Sequence, residues 1–176
     1  KTLALNGLMK KSENLTAELL VKHIGLTVFD TVGSWKNGLL AIKTFLHDSV
    51  GIDTNTFSLS DGSGLSRYNY TSPNHFISAL SWAYNNKNIR NKFLDTFPRG
   101  GLDGTLENRL ENIDSTTTVL AKTGSLSGVS CLSGYIISKT NSPLAFSILI
   151  NGFVNSSLPY RNLQDEIVYS LSKIKL

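Results

Sequence analysis

The chain holds one cysteine, Cys131, in 176 residues. That excludes an intrachain disulfide framework and a cysteine-rich zinc module. Long apolar runs are also lacking. None approaches the ~20 residues that span a bilayer, so no transmembrane segment is expected. With 4 prolines and 14 glycines, the chain is too poor in both for a collagen-like fibre or a flexible linker. Histidine is scarce, and His23, His47 and His75 are too far apart to converge as metal ligands. No metal and no other cofactor is expected. The Gly-x-Ser-x-Gly elbow does not occur, although a Ser-His-Asp arrangement on another fold stays open. A basic stripe is lacking too. The net charge is +4 and the isoelectric point about 9.2, but the basic residues are scattered and their longest lysine cluster is Lys10-Lys11. Without interleaved aromatics, that footprint argues against nucleic-acid binding. Lys1-Thr2-Leu3 does not open a signal peptide. The sequence starts mid-pattern, as a mature or cut fragment would.

What is present is globular: 40% apolar and 17% charged residues, enough for one domain at ~150 residues per domain. The 22 serines and 16 asparagines fall at turns and caps, not in runs, and the sequons at Asn14, Asn69 and Asn155 are chance in such a chain. Residues 1–30 read as helical, with Leu15, Leu19, Leu20, His23 and Ile24 at helical spacing and Ser12 as cap. A second helix is expected over 34–49. Phe57 and Leu59 suggest a short strand, and Ser72-Pro73 opens a third helix. A short helix is expected over 105–112. From 116 the pattern turns β-branched: strands are expected over 116–121, 133–138 and 144–150, with Asn141-Ser142 as hairpin turn. A terminal helix is expected over 162–175. The plan is α/β (α+β), helices packed on an antiparallel meander, in one unit spanning 1–176.

Four stretches can carry chemistry, and each has a plain structural reading beside it. Lys122-Thr123-Gly124-Ser125 ends a predicted strand. A strand glycine admits a ligand backbone, the lysine supplies charge, the threonine can hold a carboxylate, and the Ser125 N–H can donate to an oxyanion; otherwise this is a surface strand ending in a turn. Ser12-Glu13-Asn14 can place a proton relay and an amide-binding group in one cleft, or simply cap a helix. In residues 61–69, glycines fix an unusual path and Arg67 offers a planar cation, or the stretch is a decorated turn. Asp103-Gly104-Thr105-Leu106 with Arg109 is a loop entering a helix.

In this order and at these separations, the four stretches resemble the class C penicillin-binding proteins, the D-alanyl-D-alanine carboxypeptidase/endopeptidase family. Ser12-Glu13-Asn14 is similar to its Ser-x-Asn motif and Lys122-Thr123-Gly124 to its Lys-Thr-Gly motif. Asp61-Gly62-Ser63-Gly64-Leu65-Ser66-Arg67-Tyr68-Asn69 resembles its Asp-Gly-Ser-Gly-Leu-Ser-Arg-x-Asn signature, and Gly104-Thr105-Leu106 with Arg109 its next block. The resemblance implies the penicillin-binding, serine β-lactamase-like transpeptidase fold, and acyl transfer in the periplasm on peptidoglycan peptides or β-lactams. It also implies roles. Ser12 passes a proton to the leaving amine, Asn14 holds the substrate's side-chain amide, and Lys122 supplies positive potential. Thr123 binds the terminal carboxylate, Gly124 is part of the substrate-binding strand, the Ser125 N–H is one oxyanion donor beside the nucleophile's own N–H, and Leu65 and Arg67 contact the peptide.

The family's nucleophile lies in a Ser-x-x-Lys motif upstream of Ser-x-Asn. The sequence begins 11 residues before Ser12, so the chain is expected to be the C-terminal half of the catalytic domain. Its partner is then the N-terminal half of its own chain. Ser170-Leu171-Ser172-Lys173 is a decoy, after Lys-Thr-Gly and in a helix. Such a piece should be inactive alone, since losing the nucleophile costs serine enzymes about 10⁶ in rate. It should also expose an apolar sheet edge and face. The competing reading is a non-catalytic relative that binds cell-wall peptide or a protein partner. An unrelated helix-and-sheet domain is the third.

Overall fold

β-Branched and small residues from 117 onward build β1 (Thr117–Leu126), which pairs with β2 (Val129–Ser138), and β2 in turn with β3 (Leu144–Asn151). The computed structural model describes residues 2–139 and 141–174. The sheet is antiparallel in the order β1-β2-β3, with Lys122 opposite Ser133 and Gly124 opposite Cys131. Side chains alternate between its faces. Val119, Ala121, Leu132, Ile136 and Phe146 turn to one face and pack on Val168 and Leu106. Leu120 and Tyr135 turn to the other and meet Leu80 and Phe97. The alternation puts Lys122 on the second face and Thr123 on the first.

Each face has its own cover. α6 (Leu158–Ser172) lies on the first and supplies Val168. α4 (Pro73–Asn85) and the short α5 (Arg90–Leu94) lie on the second, where the Tyr135 hydroxyl donates to the Leu80 carbonyl at 2.7 Å. α1 (Thr2–Lys10) reaches this layer through Met9. α2 (Asn14–Phe29) and α3 (Trp35–Asp48) form an antiparallel pair beside it. They cross closely because Gly38 has no side chain. A Cβ there would collide with the Val21 carbonyl oxygen.

The sequence reading needs five corrections. The helix expected over 1–30 is two helices, and Ser12 does not cap the second. Its φ is +58°, which turns the chain between α1 and α2, and Glu13 is the N-cap. The strand at Phe57 and Leu59 shrinks to one bridge, Ser58 with Tyr70, because glycines follow and no neighbouring strand is there to extend it. The helix over 105–112 is a single 3₁₀ turn, Gly104–Leu106, since the following residues bend back to satisfy Gly101. β1 runs past its expected end, so Lys-Thr-Gly lies within the strand. The apolar surface is not on the sheet, whose two faces are packed. Exposed apolar side chains lie on helices, at Leu15 (72% exposed), Leu19 (56%) and Leu40 (50%), and in loops, at Val32 (83%) and Val154 (95%). Lys1 and Lys175, at the ends of two expected helices, lie outside the described residues, as does Thr140 before the Asn141-Ser142 turn. Among the described residues no helix is long and apolar enough to cross a membrane.

Candidate functional site

Ser12 sits in the left-handed region between α1 and α2, a conformation costing a non-glycine residue about 1–3 kcal/mol. The turn is held by the Glu13 N–H, which reaches back to the Gly7 carbonyl at 3.1 Å. Its effect is to present the Ser12 hydroxyl to β1. The Lys122 ammonium donates to that hydroxyl at 2.8 Å and to the Thr123 carbonyl at 2.8 Å. Burial lowers the Lys122 pKa below the usual lysine value. With its oxygen accepting from Lys122, the Ser12 hydroxyl keeps its own proton free to donate. Asn14, two residues on and the first residue of α2, is exposed.

The second wall is the outer edge of β1. On the side away from β2, the Gly100 N–H donates to the Val119 carbonyl at 2.9 Å and the Ala121 N–H to the Pro98 carbonyl at 3.1 Å. Alternate residues of an antiparallel strand turn their polar groups the same way. The N–H groups of Thr123 and Ser125 therefore continue this row beyond Pro98, where the edge is open. Gly124 and Ser125 are exposed and Thr123 is half-buried. The Thr123 hydroxyl donates to Thr105 Oγ1 at 2.9 Å.

Thr105 is placed by a loop that sequence reading left with a minor role. Gly104, at φ +61°, packs so tightly on α1 that a Cβ would lie 2.8 Å from the Lys10 carbonyl oxygen. The Lys10 ammonium binds the Asp103 carboxylate, which also accepts from the Arg99 N–H at 2.9 Å. Burial raises the Asp103 pKa, but the Lys10 and Arg99 donors and their charges outweigh it and leave it below the usual value. Arg109 anchors the far end, binding Asp165 at 2.7 Å and Gln164 at 3.2 Å. An open cavity of about 310 Å³ is lined by Thr105, Arg109, Arg161 and Asp165. It does not include Ser12 or Lys122.

Residues 61–69 form a self-satisfied strap. Asp61 accepts from the N–H groups of Gly64 (2.7 Å) and Ser66 (2.6 Å) and from the Asn69 amide (2.9 Å). Glu18 of α2, which sequence reading missed, accepts from the Gly62 and Ser63 N–H groups at 3.1 and 2.9 Å and from the Trp35 indole at 2.7 Å. Its signal was available: it is the one acidic residue of α2, one helical turn from Asn14. Burial raises the Glu18 pKa, yet the Ser63, Gly62 and Trp35 donors outweigh it and hold it below the usual glutamate value. Arg67 donates to the Ser127 carbonyl at 3.0 Å. The strap thus runs from α2 to the turn that follows Ser125. Leu65 is 53% exposed on it. The structure brings Ser12, Lys122, Thr123 and Thr105 into direct contact. It keeps Leu65 and Arg67 on the strap, reaching Ser125 only through the neighbouring turn. Among the described residues no three His, Cys, Asp or Glu side chains gather as a metal site.

Residues 3–174 match the D-Ala-D-Ala carboxypeptidase 3 (S13) family. The D-alanyl-D-alanine carboxypeptidase DacB of Haemophilus influenzae is 34% identical over 166 residues, covering 93% of this chain and 34% of its own length. The D-alanyl-D-alanine carboxypeptidase of Actinomadura sp. strain R39 is 38% identical over 149 residues, 82% of this chain and 27% of that protein. The chain therefore spans about a third of the length of these curated relatives. The crystal structure of penicillin binding protein 4 of Haemophilus influenzae superposes with a TM-score of 0.85 at 31% identity, covering 97% of this chain and 39% of that one. A second structure of that protein, at TM-score 0.80 and 32% identity, over 97% of this chain and 41% of that one, contains a novel β-lactam. The fold is that of the penicillin-binding proteins.

Proposed function

Since the chain belongs to the D-Ala-D-Ala carboxypeptidase 3 (S13) family, we propose that it is the C-terminal half of the catalytic domain of a serine-type carboxypeptidase/endopeptidase. In this reading it acts on peptidoglycan peptides in the periplasm and binds penicillin. The observation that carries the reading is the 2.8 Å contact between Lys122 and Ser12, two residues from the two motifs whose meeting the chemistry requires.

The nucleophile is assigned to a Ser-x-x-Lys motif in the parent chain ahead of Lys1. Its serine oxygen attacks the carbonyl carbon between two D-alanines, and its proton passes to the paired lysine. The tetrahedral oxyanion lies against the Ser125 N–H and the nucleophile's own N–H. The C–N bond then breaks. Ser12 gives its proton to the departing D-alanine nitrogen and takes back from the paired lysine the proton lifted from the nucleophile, while Lys122 stays charged beside it; an ester is left on the serine. Water hydrolyses that ester and frees the shortened peptide. Asn14 holds the amide of the penultimate residue. Thr123 meets the terminal carboxylate, with Lys122 raising the local positive potential. Leu65 and Arg67 face the peptide stem. A β-lactam follows the same first step, but its leaving amine stays tethered and the acyl-enzyme persists.

The exposed apolar side chains Leu15, Leu19 and Leu40 support the N-terminal half of the parent as the partner that covers α2 and α3. The full-length parent, incubated with a fluorescent penicillin and with a D-Ala-D-Ala peptide, tests the reading. A covalent fluorescent band and released D-alanine are expected. No band and no D-alanine would favour a relative that only binds.

A further inference from the structure

Lys10 closes α1 two residues before Ser12, and one loop holds it at two points. Its ammonium binds the Asp103 carboxylate. Its carbonyl oxygen lies against Gly104, where a Cβ would come within 2.8 Å. The side chains of the ion pair are 24% and 33% exposed. They are more shielded than the solvated surface pairs that contribute little.

The same loop is bonded to the sheet. The Ala121 N–H of β1 donates to the Pro98 carbonyl at 3.1 Å, and the Gly100 N–H donates to the Val119 carbonyl at 2.9 Å. Between these two bonds, the Arg99 N–H donates to the Asp103 carboxylate at 2.9 Å. Lys122 follows Ala121 in β1. A closed ring results. It runs from Lys122 through Ala121 and Pro98 to Asp103, across to Lys10, and on to Ser12, which meets Lys122 at 2.8 Å. Ser12 needs such a ring. Its φ of +58° persists in a non-glycine residue only where the surroundings over-determine it. The Glu13–Gly7 hydrogen bond fixes the turn from the helix side, and the Lys10–Asp103 pair fixes it from the sheet side.

We propose that Lys10 and Asp103 are positioning residues for the proton relay, their ion pair holding the Ser12 hydroxyl against Lys122 and in reach of the leaving nitrogen. The proposal rests on the reading that Ser12 delivers that proton. Neither residue is assigned a contact with substrate, and no bond forms or breaks at either.

The test uses the full-length parent and two substrates with the same acyl group. One is a D-Ala-D-Ala peptide, whose leaving nitrogen must gain a proton. The other is a thiolester, whose thiolate leaves without one. Asp103→Asn, which keeps an acceptor for the Arg99 N–H, and Lys10→Met should each lower kcat/KM for the peptide by about tenfold to a hundredfold, up to the cost of a ~1 Å misplacement. Both should leave the thiolester unchanged, and Lys10→Arg, which keeps the charge, should retain most of the peptide rate. Added to Ser12→Ala, Asp103→Asn should cause no further loss, because both act along one path. Should Lys10→Met not fold, Asp103→Asn read on the same two substrates decides. Wild-type peptide cleavage in both variants, beside a slow Ser12→Ala, overturns the proposal and leaves the relay standing. Equal losses on both substrates also overturn it, since they mark a pair that only holds the fold. Wild-type rates in Ser12→Ala would remove the relay, and the proposal with it.

Discussion

The Lys122 ammonium in β1 and the Ser12 hydroxyl at the end of α1 are 2.8 Å apart, although 110 residues separate them in sequence. The contact joins the helical layer to the sheet at one point. It is also the only direct bond among the described residues that links the Ser-x-Asn and Lys-Thr-Gly motifs.

If Ser12 delivers the proton to the leaving group, Ser12→Ala should slow acylation of the full-length parent by about 10²–10⁴-fold, the usual share of a positioned acid or base. Lys122→Ala should fall in the same range. Lys122→Arg should not restore the rate, because a planar guanidinium cannot replace a compact ammonium at this site. Stopped-flow acylation by a fluorescent penicillin measures this, and wild-type rates in Ser12→Ala would rule the relay out.

The lowered pKa of Lys122 makes a second prediction, about stability. The folded protein holds this proton less tightly than the unfolded chain. The cost of the buried charge is therefore fully present at pH values below the folded pKa. It is relieved as pH rises from there toward the usual lysine value of 10.5. The stability of Lys122→Met relative to wild type should be greatest near neutrality and should shrink as pH climbs through that window. Denaturant melts of the parent at several pH values read the difference. A difference that does not change with pH would contradict the burial argument.

Glu18 obeys the opposite sign. Its carboxyl is held below the usual value by the Ser63, Gly62 and Trp35 donors, so its contribution exists above pH 4.5 and is lost as pH falls through the folded pKa. Glu18→Gln should destabilise the parent by about 1.5–3 kcal/mol at neutral pH, the range for hydrogen bonds to a charged group. The gap should close in acid. Hydrogen exchange at Gly62 and Ser63 should speed up in the variant, since their acceptor is weakened.

Arg109 ties the Thr105 turn to α6 through Asp165 and Gln164. Both members of the ion pair are mostly buried, with side-chain exposures of 13% and 26%. Asp165→Ala should therefore cost about 3 kcal/mol, because it strands a desolvated guanidinium. Urea melts of the parent check the value. A loss within about 0.5 kcal/mol would place Arg109 in the class of solvated surface pairs.

The sheet and its helices were legible because their patterns are strong. Alternating Val119, Leu120 and Ala121 feed two different faces, and Ser72-Pro73 marks a helix start by chemistry alone. Lys122-Thr123-Gly124 was legible as part of a strand, and the structure brings Ser12 onto Lys122. What escaped was set by tertiary contact. Ser12 looks like a helix cap in sequence, and only the neighbouring Glu13–Gly7 hydrogen bond and the pull of Lys122 put it in a left-handed turn. Residues 105–112 have a helical pattern, but the Arg109 carbonyl is claimed by the Gly101 N–H at 2.7 Å, which closes the turn early. Thr105 carries no local signature, and its partner lies 18 residues away. Glu18 is marked only as the one acidic residue of α2, and its strap partners lie 44 and 45 residues away.

The most direct measurement is a crystal structure of the full-length parent acylated by a penicillin. The account predicts the drug's carboxylate within hydrogen-bonding distance of the Thr123 hydroxyl, its ester carbonyl oxygen on the Ser125 N–H, and Ser12 still bonded to Lys122 beside the opened ring. A drug bound covalently but away from the edge of β1, with Ser12 and Lys122 on no part of it, would contradict the account.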